Sequence, residues 1–368
     1  MRSKNIAYLP ELDHIRAYAA ILIILYHGLH LISYKLMYDA PFAFDHWPRT
    51  GNPLAAVLIE GHTAVALFMV LSGFIFTFGT YDRSVSYGKF IRNRILRTYP
   101  LFIVLLFVGI YSYPQHFSFA SFLQTLFALA NANNGISAGS FSAMFWTIAV
   151  EWQFYLIFPL LLLILNDKGA KSLAGIILVF LLMRLLSFLG GANIRDVSYW
   201  TIIGRIDQFL VGMLTAIFYK KYFSPGRWWR LSFLPAVVLL CLMMYLFHRQ
   251  GGWPGNYWWK IAWPTLEALV WGVFIISYSA VSTGIPRCVS RPISYVGTIS
   301  YSLYLIHFVV IDSFIRHDLL ISFSDARPIW TALIFTALII LPIVIFISAI
   351  TYTFIEKPFL DMRVSYKR

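Results

Sequence analysis

Arg16 and His27 stand eleven residues apart in the first long apolar run of this sequence. On a helix, eleven steps of about 100° return to within about 20° of the same face and rise about 16 Å. One stripe then carries a guanidinium about a turn inside one membrane boundary and an imidazole near mid-membrane. An anionic ligand with phosphates and a long thin arm ending in a thioester fits that stagger. The plain alternatives are snorkelling of Arg16 toward the interface and a hydrogen bond from His27 to a neighbouring helix.

A second candidate is Glu151, in the apolar stretch Phe145-Trp-Thr-Ile-Ala-Val-Glu-Trp-Gln-Phe-Tyr-Leu-Ile-Phe-Pro159. Its most useful partner is His27, because a carboxylate that orients an imidazole leaves the second ring nitrogen free to take a proton from a hydroxyl. Pairing of Glu151 with some other helix is the other reading. Arg94 and Arg97, at i and i+3, are neighbours on one helical face, and arginine forks suit phosphate. The remaining ionisable residues placed within or beside apolar runs are Glu60, His62, Arg184, an Arg205/Asp207 pair, Glu267 and His307. Each costs at least ~2.5 to 3.5 kcal/mol in a bilayer, so each asks for a reason. Tyr155, one turn after Glu151, and Tyr304 with His307 are supporting candidates or core packing. Ser72 lacks a GxSxG elbow and reads with Gly73 as small-residue helix packing. His27 and His30 are spaced for a metal, but no HExxH pattern or acidic cluster accompanies them, so no metal is expected.

The elements that must position these residues are membrane helices. The chain has 368 residues, 59% hydrophobic, 18% aromatic and 12% charged, with a mean hydropathy of +0.71. That is far more apolar than soluble domains and excludes a water-soluble globule. Apolar runs long enough to span, about 20 residues each, lie near 15–37, 55–80, 98–113, 143–165, 172–190, 200–219, 231–248, 262–283, 295–316 and 328–355. The expectation is an all-α polytopic bundle of about ten transmembrane helices forming one membrane domain over 1–368. The net charge of +13 is topological: nineteen Lys and Arg fall on the side of the N-terminus, Arg2, Lys4 and Arg368 among them, against five on the other. The positive-inside rule then puts both termini in the cytoplasm, and nucleic acid is not an expected partner.

Two exterior loops are longer than the rest. Residues 38–54 are rich in aromatics and proline, and 114–142 hold the uncharged stretch Asn131-Ala-Asn-Asn-Gly-Ile-Ser-Ala-Gly-Ser140. Either could shape an acceptor site or be ordinary surface. Trp and Tyr at 228–229 and 253–263 read as interfacial anchors. Cys241 and Cys288 form no disulfide framework, and the first apolar run reads as a retained span, not a cleaved signal.

These residues resemble acyltransferase family 3, the bacterial integral membrane O-acyltransferases. Leu12-Asp-His-Ile-Arg16 through Tyr26-His27 looks like its opening motif, Phe68-Met-Val-Leu-Ser-Gly-Phe74 like its SGF motif, and Arg94-Ile-Leu-Arg97-Thr-Tyr-Pro100 like its RxxR loop. Trp146-Thr-Ile-Ala-Val-Glu151-Trp-Gln-Phe-Tyr155, Gly297-Thr-Ile-Ser-Tyr-Ser-Leu-Tyr-Leu-Ile-His307 and Ile355-Glu-Lys-Pro358 follow in the family's order. One departure is His14, where the family usually has glycine. Another is the early stop after Lys357-Pro358, a form without the soluble hydrolase-like extension of some members.

The resemblance implies an acyl-CoA donor, acetyl-CoA or a relative, bound from the cytoplasm near Arg16, Arg94 and Arg97. It implies catalysis by His27 with Glu151, and a lipid-linked or exported carbohydrate as acceptor, in the plasma (inner) membrane of a bacterium. His27 would deprotonate the acceptor hydroxyl or carry the acyl group transiently. The chain would act in the lipid bilayer, alone or as a homo-oligomer. The rival from another class is a glycan or lipid transporter or flippase, since buried charges also line translocation paths; the lack of repeat halves speaks against it.

Overall fold

The computed structural model describes residues 8–132, 135–224, 226–321 and 327–367. Asn133 and Asn134 of the longer exterior loop, and Arg2, Lys4 and Arg368 of the charge tally, lie outside the described residues. The helices are α1 (Pro10–Tyr38), α2 (Pro53–Ile59), α3 (Thr63–Thr80), α4 (Tyr87–Ser112), α5 (Phe119–Leu126), α6 (Phe145–Lys168), α7 (Ala170–Leu189), α8 (Ile194–Trp200) and α9 (Ile202–Tyr222). They continue as α10 (Arg227–Leu231), α11 (Phe233–Arg249), α12 (Trp263–Ser282), α13 (Arg287–Thr298), α14 (Ser300–Arg316), α15 (Pro328–Phe335), α16 (Leu341–Thr351) and α17 (Lys357–Asp361). Two π-turns, Thr336–Ile340 and Tyr352–Glu356, join the last three into one run. Among the described residues, nine helical stretches are long and apolar enough to span, or ten if α13 and α14, bent by 66°, make one span. The chain is a multi-pass helical membrane bundle.

Local chemistry sets the ends. Pro10 begins α1 with Glu11 and Asp13 in its first turn, where acids suit the helix dipole. Asn52 caps α2 and Thr201 caps α9 through side-chain oxygens, and Gly169, at φ +76°, separates α6 from α7. Leu156, Leu160 and Leu163 of α6, and Leu178, Leu182, Leu185 and Leu189 of α7, are exposed along one face each, as lipid-facing stripes should be.

Close packing is achieved with small residues. A β-carbon at Gly73 would stand 2.0 Å from the Phe209 carbonyl oxygen, and one at Gly212 2.0 Å from that of Val70. α3 and α9 therefore cross backbone to backbone, the role read for Gly73. Helix α1 packs against α2, α3, α12, α13, α14 and α15. His14 ties it to its neighbours, with Nδ1 3.0 Å from the Tyr278 hydroxyl and Nε2 2.9 Å from Ser290 Oγ.

Three elements differ from expectation. The run 55–80 breaks at Glu60 to His62, around Gly61, a residue that disfavours helix interiors, and the buried Glu60 carboxylate there bonds Trp47 and His248 from other parts of the chain. Arg94 and Arg97 are helical neighbours as read, but their helix starts well before the expected run at 98: α4 begins at Tyr87, and its first turns, too polar to read as a span, carry both. The ninth run bends between α13 and α14.

Candidate active site

One cavity of about 360 Å³ opens among α1, α3, α4, α6, α14 and the residues after α17. Arg16, Ser72, Arg94, Arg97, Glu151, Tyr155 and Tyr304 all line it. These seven residues, spread over almost 290 positions of sequence, thus share one space.

Four arginines line it together with Asp13, Glu151 and Asp361, and they are not equally paired. Arg16 pairs with Asp13 at 2.8 Å and Arg97 with Glu356 at 3.0 Å. Arg94 has no carboxylate partner among the described residues; its guanidinium lies 4.7 Å over the Phe76 ring and 5.7 Å over that of Tyr155, and its Nε is buried without a hydrogen bond. Arg363 is a cavity residue that sequence reasoning counted only as positive-inside charge. Burial first, then repulsion from Arg97 and Arg94, lowers its pKa to about 10. Guanidiniums gathered this way are unfavourable until an anion joins them. Tyr301 and Tyr366 also line the cavity; both would have passed for core aromatics.

His27 and His307, also candidates, do not line it. They form a pair with Nδ1 of His27 2.8 Å from Nε2 of His307, rings stacked at 5.0 Å. The tautomers follow from the partners. His307 Nδ1 lies 3.1 Å from the Leu303 carbonyl oxygen, which only accepts. That Nδ1 donates, so Nε2 of neutral His307 is the acceptor. His27 Nδ1 then donates to it, and His27 Nε2 keeps a free lone pair. Tyr304 joins the two regions: it lines the cavity, and its ring centre is 5.9 Å from that of His307.

The expected pairing of Glu151 with His27 is not the one the molecule makes. Ser72 donates its hydroxyl to Glu151 Oε1 at 3.0 Å, and among the described residues no hydrogen bond joins Glu151 to His27. Helix α6 packs on α3, α4, α7, α8 and α9, while α1 packs on α3 and α12 to α15. The two share α3, whose Ser72 meets the carboxylate, while α14 brings His307 to His27. Ser72 is thus a cavity group as well as a neighbour of the packing Gly73. The expected Arg205/Asp207 pair also separates: Asp207 Oδ2 is 2.8 Å from Arg184, and Arg205 turns to Gln208 and Glu267. His30 turns away from His27 to the Ile59 carbonyl oxygen, 2.9 Å.

At the opposite end of the bundle a second polar cluster surrounds Glu60. Its carboxylate accepts from Trp47 Nε1 and His248 Nδ1, each at 2.9 Å, from Trp253 N at 3.2 Å and from His62 Nε2 at 3.3 Å. Burial alone would raise its pKa, but these donors, His248 and His62 above all, bring it down to about 2. Lys260 is buried nearby with Nζ donating to the Gly252 and Trp253 carbonyl oxygens at 2.9 and 2.7 Å.

A stacked imidazole pair and an arginine-lined cavity are thus held within one multi-pass membrane bundle. The chain belongs to the acyltransferase-domain family, which matches residues 9–352. It is similar to a "Putative O-acetyltransferase" of Staphylococcus aureus strain COL, 26% identical with 97% of this chain and 58% of that protein covered. It is also similar to a "Putative acetyltransferase" of Acidianus two-tailed virus, 22% identical over 82% of this chain and 83% of the viral protein. An uncharacterized protein of Haemophilus influenzae matches 42% of this chain at 28% identity. The chain thus spans 58% of the length of the Staphylococcus aureus relative. No solved structure matches it.

Proposed function

We propose that this protein is a membrane O-acyltransferase that moves an acetyl or other short acyl group from acyl-CoA to a hydroxyl of a lipid-linked or exported carbohydrate. The observation that carries the reading is the cavity with Arg16, Arg94, Arg97 and Arg363 on its walls, linked through Tyr304 to the His27–His307 pair. Family membership and the names of the relatives support it.

In this reading the donor's phosphates meet Arg94, Arg97 and Arg363, and its arm extends past Ser72 and Tyr155 toward Tyr304. This mouth faces the cytoplasm in this reading, with the chain in a bacterial plasma membrane; the positive-inside imbalance of the sequence supports that orientation. His27 Nε2 takes the proton of the acceptor hydroxyl as its oxygen attacks the thioester carbon. The carbon–sulfur bond breaks, and the leaving thiolate recovers that proton from the imidazolium, giving an oxygen ester and free CoA. His307 becomes the group that fixes the His27 tautomer, the role first expected of Glu151. Glu151, held by Ser72, becomes a positioning group on the donor's wall.

The test uses purified protein in proteoliposomes with radiolabelled acetyl-CoA and glycan extracted from the host. Label should pass to glycan as an alkali-labile ester with wild type and not with His27→Ala. Normal membrane insertion of His27→Ala and Arg16→Ala with undiminished glycan acylation would overturn the reading; movement of glycan across the bilayer without acyl change would favour a carrier.

A further inference from the structure

A small pocket of about 30 Å³ lies beside the Glu60 cluster, walled by His62, Tyr199, Arg205, Trp253, Trp263 and Glu267. One water needs ~10 to 15 Å³ on this scale, so there is room for about two water-sized groups. Its position relates it to the reaction. The His62 ring centre is 5.9 Å from that of Tyr26, and the Tyr26 ring is 4.8 Å from His27.

The wall is short of partners in a patterned way. Arg205, Trp253 and Glu267 are at most 4% exposed. Arg205 Nη2, Trp253 Nε1 and Trp263 Nε1 are buried donors without a hydrogen bond, and Glu267 Oε1, with the Thr63 hydroxyl nearby, is an acceptor without one of good geometry. Buried polar atoms are rarely left unserved, so four around one pocket point to an occupant. Arg195 and Lys260 also line the pocket, but Arg195 pairs with Asp196 at 2.8 Å and Lys260 donates to the Gly252 and Trp253 carbonyl oxygens. Arg205 and Glu267 are left to set the preference: an anion would suit the first and be repelled by the second, and a cation would do the reverse. A carbonyl accepts only and leaves Glu267 unserved. A hydroxyl both donates and accepts, so a pair of adjacent hydroxyls satisfies both signs.

We infer that this pocket is the acceptor subsite and that it reads a vicinal pair of sugar hydroxyls, one donating to Glu267 and both accepting from Arg205 and the two indoles. The inference rests on the transfer reading above and assigns the acceptor's grip to residues on the far side of His27 from the arginines. The rest of the sugar lies outside the pocket, whose volume holds only the hydroxyl pair.

The experiment measures transfer from radiolabelled acetyl-CoA to base-deacylated envelope glycan extracted from the host, in proteoliposomes, for wild type, Glu267→Gln and Trp263→Phe. Glu267→Gln turns the unserved acceptor into a donor and should raise the half-saturating glycan concentration about tenfold or more; Trp263→Phe, which removes one neutral donor, should raise it by about two- to tenfold. The half-saturating acetyl-CoA concentration should stay at the wild-type value in both. If Glu267→Gln does not fold, as loss of acetyl-CoA binding would reveal, Trp263→Phe decides. Unchanged glycan half-saturation means that the pocket holds structural water only and overturns the inference, as does an equal shift for acetyl-CoA. Failure of wild type to transfer label at all overturns the transfer reading with it.

Discussion

The two polar regions of this bundle carry opposite kinds of incompleteness. The larger cavity gathers four guanidiniums of which Arg94 and Arg363 lack a carboxylate among the described residues. The smaller pocket holds its charges in pairs or networks and leaves single donors and one acceptor oxygen unserved. Uncompensated charge calls for a charged ligand; uncompensated hydrogen bonds call for a neutral polar one. Between them stand Tyr304, His307, His27 and Tyr26 in successive ring contacts. On the proposed reading, the difference assigns the donor to the arginine end and the acceptor to the other, with the imidazole pair as their meeting point.

The comparison breaks most sharply at that meeting point. His27→Ala should lower transfer by ~10²- to 10⁴-fold with acetyl-CoA binding unchanged, measured by equilibrium dialysis beside initial rates. Next come Arg94→Ala and Arg363→Ala. Each should weaken acetyl-CoA binding by about 10- to 100-fold, with the glycan half-saturation unmoved. Binding to wild type should also weaken with added salt, since the mouth's charge is partly screened. His307→Ala should cost about tenfold in kcat, with both half-saturation values retained. His307→Gln, whose amide oxygen can accept from His27 Nδ1, should recover part of it.

The smallest effect on chemistry, though not on stability, is expected at Glu60. Its folded pKa of about 2 lies below the usual 4.5, so its ionised form stabilises the fold fully above pH 4.5. That contribution is lost as pH falls toward 2. Thermal unfolding in detergent should therefore show Glu60→Gln less stable than wild type at pH 7, with the gap closing on acidification across that window. A gap that stays constant from pH 7 to pH 2 would contradict the assignment.

Much of this was legible in the sequence because lipid makes polar residues conspicuous. The helical bundle followed from apolar run lengths, and the candidate residues from their cost in hydrocarbon. Arg94 and Arg97 were readable as helical neighbours, although the helix start at Tyr87 was hidden by the polarity of its first turns. Partner choice was not readable. Nothing in the spacing of Glu151 reveals that α3, carrying Ser72, lies between it and α1. His307 was visible as a candidate but not as the partner of His27, a contact across 280 positions. Arg363 was masked by the rule that puts arginines at inner ends anyway, and the break at Glu60 by the apolar residues on both sides of it. Tertiary contact, not local pattern, decides each of these.

The central claim is that a donor held by the arginines delivers its acyl end to His27. It is tested most directly by a cryo-EM map of the purified protein with an acetyl-CoA analogue whose thioester sulfur is replaced by a methylene. The account predicts analogue phosphates within hydrogen-bond distance of Arg94, Arg97 and Arg363, and the acyl carbon beside His27 Nε2 within about 4 Å, close to reacting distance. Phosphates bound elsewhere, or an acyl end directed away from the imidazole pair, would contradict it.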